Sequence, residues 1–365
     1  MDPFVYEFPA IRGVQAKREY YVSMCPLRII PKLFSAESSL PVSEPHRRAQ
    51  RVLNKARIPA IRDYILNNLN DYAFSAIAVS IDGEVEFIPI DDELKHYNIG
   101  QLRIPMGARF IINDGQHRKA AIEAALLSKP ELGNEYIACV FFIDTGLKRS
   151  QQVFADLNRY AIRPTQSLNI LYDHREPSAK IARGLVEKVG VFNSMTEMDK
   201  TTISNRSTKL FTLSGIHRAT KELLSDFKKE PFEDALSLAV SYWEEVAKYM
   251  PDWKKAKQGE VSAAELRKNY IHSHTVALVA LGRAGRALFM ECPDNWQVVL
   301  GGLKFIDWSR SNRKWEGRAM VGGKVSISHN NITLMTCEIK QTLGLSLNDD
   351  EVEAETIYKA SKIVK

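Results

Sequence analysis

Apolar positions recur at strand and helix spacings along this chain, and the pattern changes character near its middle. Residues 1–35 mix aromatic, apolar and basic positions and are expected to form strands and a turn, while 35–45, rich in Ser, Pro and Glu, reads as a loop. From 46 to 70 the pattern is helical but interrupted by Pro59: a strongly basic segment, then an amphipathic helix with Ile61, Tyr64, Ile65 and Leu69 on one side. Residues 74–81 alternate and are β-branched, which predicts a strand, and Asp82-Gly83 turns it into a hairpin partner at 85–90. After a loop come a predicted strand at 109–113, a helix at 116–128 and a strand at 136–143. Thr145-Gly146 then punctuates before a helix at 150–159. This alternation describes an α+β domain over residues 1–165.

Beyond Pro164 the spacing turns helical. Segments at 178–190, 207–228, 232–249, 262–291 and 329–344 carry it, separated by breakers such as Pro231, Pro251 and Pro293. A mainly helical domain is therefore expected over 166–365. Within it, 308–324 is rich in Arg, Gly, Ser and Trp and reads as an ordered loop. The acidic stretch 349–355 reads as a solvated helix start, and the chain has no internal repeats.

With 365 residues, 45% hydrophobic and 26% charged, the composition is that of an ordinary water-exposed globular protein. The apolar runs are too short to span a bilayer and the first residues do not look like a leader peptide, so a cytoplasmic location without membrane association is expected. The four cysteines, Cys25, Cys139, Cys292 and Cys337, stand singly, without zinc or iron–sulfur spacing, and no metal site is expected. Cys139, inside an apolar run, reads as core. Cys25, flanked by proline and near basic residues, is a redox-sensitive candidate or an ordinary packed thiol. The net charge of +6 permits contact with nucleic acid, but local clusters say more.

Three kinds of cluster matter. The string Asp114-Gly115-Gln116-His117-Arg118 lies where a predicted strand ends and a predicted helix begins. Such a junction aims backbone amides and the positive helix end outward, and an adjacent arginine can fork onto phosphate oxygens. On the residues alone a capped helix with an exposed His and Arg is slightly favoured, because an Asp-Gly turn before a helix is common. In QQVFADLNRYAIRP (151–164), Asp156, Asn158, Arg159 and Arg163 follow an apolar stripe, and Asn158 is either a ligand neighbour or a C-terminal cap. The run HRRAQRVLNKAR places Arg47, Arg48, Arg51, Lys55 and Arg57 close together with no acid among them, suited to a phosphate backbone or to a solvated face. Two basic, hydroxyl-rich stretches follow: 204–221 with Arg206, Lys209, His217, Arg218 and Lys221, and 306–318 with Arg310, Arg313, Lys314 and Arg318 beside Trp308 and Trp315. Those residue types donate to phosphates and base edges, although core packing suits the tryptophans better. There is no Walker loop, GxSxG, HExxH or catalytic pair of carboxylates, and no helix-turn-helix signature.

INDGQHRKAAIEAAL, with FADLNRYAIRP downstream, resembles the DGQHR-domain proteins. FPAIRGVQAKREYYVSMCPL, LNKARIP, SNRSTKLFTLS, ELRKNYIHSH and IDWSRSNRKWEGRAM are similar to the DndB family of DNA sulfur modification, from about residue 8 to 345. The resemblance implies a protein that accompanies the enzymes replacing a non-bridging phosphate oxygen with sulfur, acting as a DNA-binding negative regulator and not as the sulfur-transfer enzyme. It also implies a ParB/sulfiredoxin-like fold for the first domain. In that box Gly115, Gln116, His117 and Arg118 would surround a phosphate, with Asn158 and Arg159 beside them. Gln116 stands where sulfiredoxin has its cysteine, which speaks against that oxidoreductase chemistry.

The expected function is a DNA-binding regulator and transcriptional repressor, whose partner is duplex DNA at the promoter of the modification genes. Arg47, Arg48, Arg51, Lys55, Arg57, Arg206, Lys209, Arg218, Arg310 and Arg313 are its expected DNA contacts. The modification enzymes are a further candidate partner, and the helical half has apolar surface enough for a homodimer. The alternative is an NTPase, with or without DNA-nicking activity, that uses Asp114, His117 and Arg118 and binds ATP or CTP, with Mg either arriving on the nucleotide or held by carboxylates such as Asp114 or Asp156.

Overall fold

β1 (Val5–Gln15) and β2 (Arg18–Pro26) pair antiparallel through a two-residue turn at Ala16 and Lys17, the first elements of the computed structural model. The structure describes residues 4–34, 53–91, 96–144, 147–159 and 163–363. Arg47, Arg48, Arg51, the loop at 35–45 and Thr145-Gly146 lie outside the described residues. By internal contacts the chain divides into two units, Met1–Ile162 and Arg163–Lys365.

After β2 come a short helix α1 (Ile30–Leu33), α2 (Ile58–Asn67), β3 (Ile77–Asp82), β4 (Glu86–Pro89), β5 (Ile99–Pro105), β6 (Arg109–Asp114), α3 (Gln116–Ser128), β7 (Tyr136–Ile143) and α4 (Leu147–Arg159). The strands form one seven-stranded mixed sheet, ordered β4-β5-β1-β2-β7-β3-β6. All its pairings are antiparallel except β3 with β7. Its apolar residues, with those of α1, α2 and α3, build one core that includes Phe8, Ile30, Ile65, Ile77, Ile112, Ile122 and Phe141.

Two expectations for this unit need correction. β3 and β4 are not a hairpin: β3 pairs with β6 and β7, while β4 pairs with β5 at the far edge. The Asp82-Gly83 signal is local, whereas β3 is buried on successive positions. A strand covered on both faces takes its neighbours from the whole sheet. β5 itself falls in a stretch read as loop. Pro59 does not interrupt a helix but stands in the first turn of α2, preceded by a 3-10 turn at Lys55–Arg57; proline lacks an amide that the first turn would leave unbonded.

The second unit is helical: α5 (Gln166–Tyr172), α6 (Pro177–Lys188), α7 (Leu213–Leu223), α8 (Phe232–Lys248), α9 (Pro251–Gln258), α10 (Ala263–Asn269), α11 (Thr275–Glu291), α12 (Trp296–Leu300), α13 (His329–Thr342) and α14 (Asp349–Ile363). Minimal strand pairs lie at β8 (Thr196–Glu197) with β9 (Phe211–Thr212), and at β10 (Met320–Val321) with β11 (Lys324–Val325). The expected helix over 207–228 starts only at Leu213. Residues 211–212 extend to pair with 196–197, and Thr212 caps α7 through its hydroxyl. The expected helix at 262–291 is two helices, α10 and α11, divided around His272. Residues 308–324 form an ordered loop in which Trp308 and Trp315 stack at 5.7 Å inside the core. α11 is the hub, buried along most of its length and packed on α7 and α13. The fold class is α+β, as expected.

Candidate anion site at the DGQHR junction

β6 is an edge strand, and its last residues are re-aimed by a bulge. Ala78 of β3 faces Asp114, while Val79 already faces Ile112, so Asn113 is the extra residue. An extra residue in one strand turns the side chains that follow. Asn113 is thereby buried: its amide donates to Ser80 Oγ at 2.7 Å and its carbonyl accepts from Ser150 Oγ at 2.9 Å. Ser80 donates in turn to the buried Asp144 at 2.9 Å, and Asp144 also pairs with Arg149. This chain of bonds ties β6, β3 and α4 together just before the turn. Asp114 is left outside, with its side chain 54% exposed.

Gly115 follows at φ +110° as the N-cap of α3. Gly115 itself offers no side-chain cap, and the positive end of this thirteen-residue helix lies at the turn. Arg118 folds back over the turn. It pairs with Asp114 at 2.7 Å, donates to the Ser75 carbonyl at 2.7 Å and bonds the Ser75 hydroxyl. Its guanidinium therefore braces the strand–helix junction, and an incoming phosphate would compete with Asp114 for it. His117 Nε2 accepts the Asn54 backbone N–H at 3.2 Å.

That last bond sets the geometry of the site. Asn54 caps the 3-10 turn Lys55–Arg57, its Oδ1 accepting from the Ala56 amide at 3.1 Å. Lys55 and Arg57 are both exposed. The end of the basic run and the first turn of α3 are thus brought together, although some sixty residues separate them. Sequence reasoning selected both segments but not their meeting, and it missed Asn54 and Ser75. A lone Asn before a basic turn is a cap signal; nothing in the sequence says which helix lies beside it.

The remaining candidates are placed as follows. Asn158 donates to the Phe154 carbonyl of its own helix at 2.8 Å; it and Arg159 are exposed at the end of α4. In the helical unit Arg206, Arg218 and Arg313 are exposed. Lys209 donates to the Ser194 carbonyl at 2.6 Å, and Arg310 to the carbonyls of Lys268 and Gly323 at 3.1 and 2.8 Å. Arg318 is internal: it forks onto Glu355 at 2.6 Å and lies over the Tyr358 ring. His217 is buried against Ser178, and burial, then the nearby Lys221, lower its pKa. Cys25 is fully buried on β2 next to Cys139, whose thiol is pushed up by a hydrogen bond with Cys25 and by burial.

Comparison with known proteins gives the family of the chain. The sequence pattern of the DndB family, described as DNA-sulfur modification-associated, matches residues 8–346. The chain therefore belongs to the DndB family and is associated with DNA sulfur modification. No curated protein and no solved structure matches it. Among the described residues no helix is long and apolar enough to cross a membrane.

Proposed function

We propose that this chain is a DNA-binding regulator of the sulfur-modification system, a repressor at the promoter of the modification genes. One observation carries the reading: the exposed Lys55–Arg57 turn is bonded through Asn54 to His117, in the first turn of α3. Two cations and a helix's positive end converge there, and a phosphodiester is complementary to both. Arg206, Arg218 and Arg313 supply further exposed positive charge on the helical unit. Arg47, Arg48 and Arg51 precede the turn in sequence.

The experiment is a fluorescence-anisotropy titration with the cluster's own promoter and with random duplex. Removing charge at Lys55 and Arg57 together is expected to weaken both duplexes, because phosphate contacts carry no sequence information. Adding Arg47→Ala and Arg51→Ala is expected to deepen the loss. Unaltered binding by the fourfold variant would refute the assignment of this surface.

A second reading is favoured by the exposed Asp114 carboxylate beside the α3 start: a nucleotide-binding NTPase using Asp114, His117 and Arg118, with Mg arriving on ATP or CTP. There Gly115 would let the phosphate approach the backbone, and Asp114, released from Arg118, would face the metal. Nucleotide turnover no greater than in Arg118→Ala, with and without DNA, would eliminate it.

A further inference from the structure

The helical unit carries a second group of phosphate-binding chemistry, remote in sequence from the DGQHR string. A cavity of about 690 Å³ lies where the 201–210 loop, α10 and the start of α11 meet, lined among others by Thr202, Arg267, Lys268, Ser273, Thr275 and Arg310. An adjoining cavity of about 370 Å³ shares Thr275 and Arg310 and adds Lys324. Small-molecule sites occupy about 300–1,000 Å³, so the larger cavity is of nucleotide size.

Three independent features of the lining select an oxyanion. α11 runs seventeen residues from an N-cap, His274, whose side chain makes no capping bond. The His274 carbonyl accepts from Ala277 and Leu278 at 2.9 and 3.1 Å, while the amides of Thr275 and Val276 have no acceptor among the described residues. Next, Ser273 is 4% exposed, yet its Oγ has no partner. A buried hydroxyl without a partner is unfavourable, and a ligand oxygen in the cavity supplies one.

The third feature is oriented, uncompensated charge. Arg267 is held by the carbonyls of Ser204 at 2.9 Å, Ser207 at 3.2 Å and Lys209, and Arg310 by those of Lys268 and Gly323. Among the described residues neither arginine, nor Lys268, has a carboxylate within ion-pair distance, and Glu265 is the one acid in the lining. Burial disfavours the charge on Arg267. An anion would relieve that cost. Carbonyls that fix a guanidinium without neutralising it leave its remaining N–H groups for such a ligand.

We infer that this cavity binds the phosphate group of a small phosphorylated ligand of the nucleotide class, with Ser273, the first α11 amides and Arg310 around the oxyanion and Lys268 beside it. A DNA backbone phosphate is the other source of the same chemistry. The inference does not rest on the duplex-binding surface proposed above.

The test titrates the full chain calorimetrically with ATP, with pyrophosphate and with a short random duplex, in the wild type, Ser273→Ala and Lys268→Ala. Expected is binding of ATP and pyrophosphate, weakened roughly tenfold by each variant, as fits loss of a hydrogen bond to a charged group. Lys268 is exposed, so its variant tests the site even if Ser273→Ala fails to fold. If Ser273→Ala and Lys268→Ala weaken the duplex and ATP does not bind, the phosphate is that of DNA. If neither variant alters the affinity of any of the three probes, the inference is overturned, whatever happens to the Lys55 and Arg57 variants.

Discussion

Gly115 sits at φ +110°, where an added methyl would approach Ile77 at 3.2 Å and the Arg118 guanidinium at 3.3 Å. Gly115→Ala is therefore expected to destabilise the first unit by about 1–3 kcal/mol, the range for a strained left-handed backbone position. It would also press on the Arg118 nitrogen that pairs with Asp114. Thermal melting checks the first effect, and a melting point equal to that of the wild type would contradict it. His272 carries a different residue-scale consequence. Burial, with His274 nearby, pushes its pKa down to about 3, and its Nδ1 accepts from Trp253 Nε1–H at 2.9 Å. An unfolded histidine titrates near 6.5. Between those values the unfolded chain binds a proton that the folded chain does not, so stability falls as pH drops from about 6.5 towards 3, by at most about 1.4 kcal/mol per pH unit from this group. Above about 6.5 the contribution is complete. His272→Asn keeps an acceptor for Trp253 but cannot titrate, and its melting temperature should vary less with pH below 6.5. An identical slope would show that His272 is not the source. The string DGQHR was conspicuous in the sequence, but Arg118's partner Ser75 was not. A guanidinium's role depends on which carbonyls and carboxylates reach it, and those come from other segments.

Among the elements, the β1–β2 hairpin joins its strands through Ala16 at φ +50° and Lys17 at φ +62°. Two positive φ values in a two-residue loop match the right-handed twist of the strands but favour Asn-Gly over Ala-Lys. Ala16→Asn with Lys17→Gly is expected to raise stability by about 1–2 kcal/mol, since left-handed backbone costs an ordinary residue about that much. A lowered melting temperature would contradict it. Because Ala-Lys carries no turn signature, this hairpin was legible only as strands and a turn somewhere within residues 1–35. The converse error occurred at Asp82-Gly83, where a strong turn signature stands between two strands that do not pair. Turn propensity acts over four residues, whereas strand partners are chosen by burial across the sheet. α7 and α11 show the same division. Their apolar spacing was readable, but not that Gly282 lies against the Ala219 carbonyl, where any side chain would collide. That glycine permits the crossing at the centre of the helical unit.

At the scale of the whole molecule, each unit has a main core built from its own elements, and a modest net charge of +6 is unevenly spread. If the proposed regulator holds duplex DNA through Lys55, Arg57 and the exposed arginines of the helical unit, affinity must fall steeply with salt. A log–log slope of roughly −3 to −5 is expected, at about −0.9 for each phosphate neutralised, and Lys55→Ala should make it about one unit shallower. A slope near zero would mean that these cations do not meet phosphates. What the sequence by itself determined is what depends on neighbouring residues: the α+β class, the positions of most helices, the DGQHR strand–helix junction, the basic runs and the family. Periodicity, caps and short motifs are written within a few consecutive residues, and one chain suffices to read them. Only the tertiary structure decided that β3 lies between β6 and β7, that Asn54 meets His117, that Arg118 braces the turn, and that Ser273, Arg267 and Arg310 surround one cavity. Each of these pairs groups far apart in the chain. Such partners are selected by which arrangement buries the apolar faces and satisfies the buried polar groups together, a condition that no local window of sequence contains.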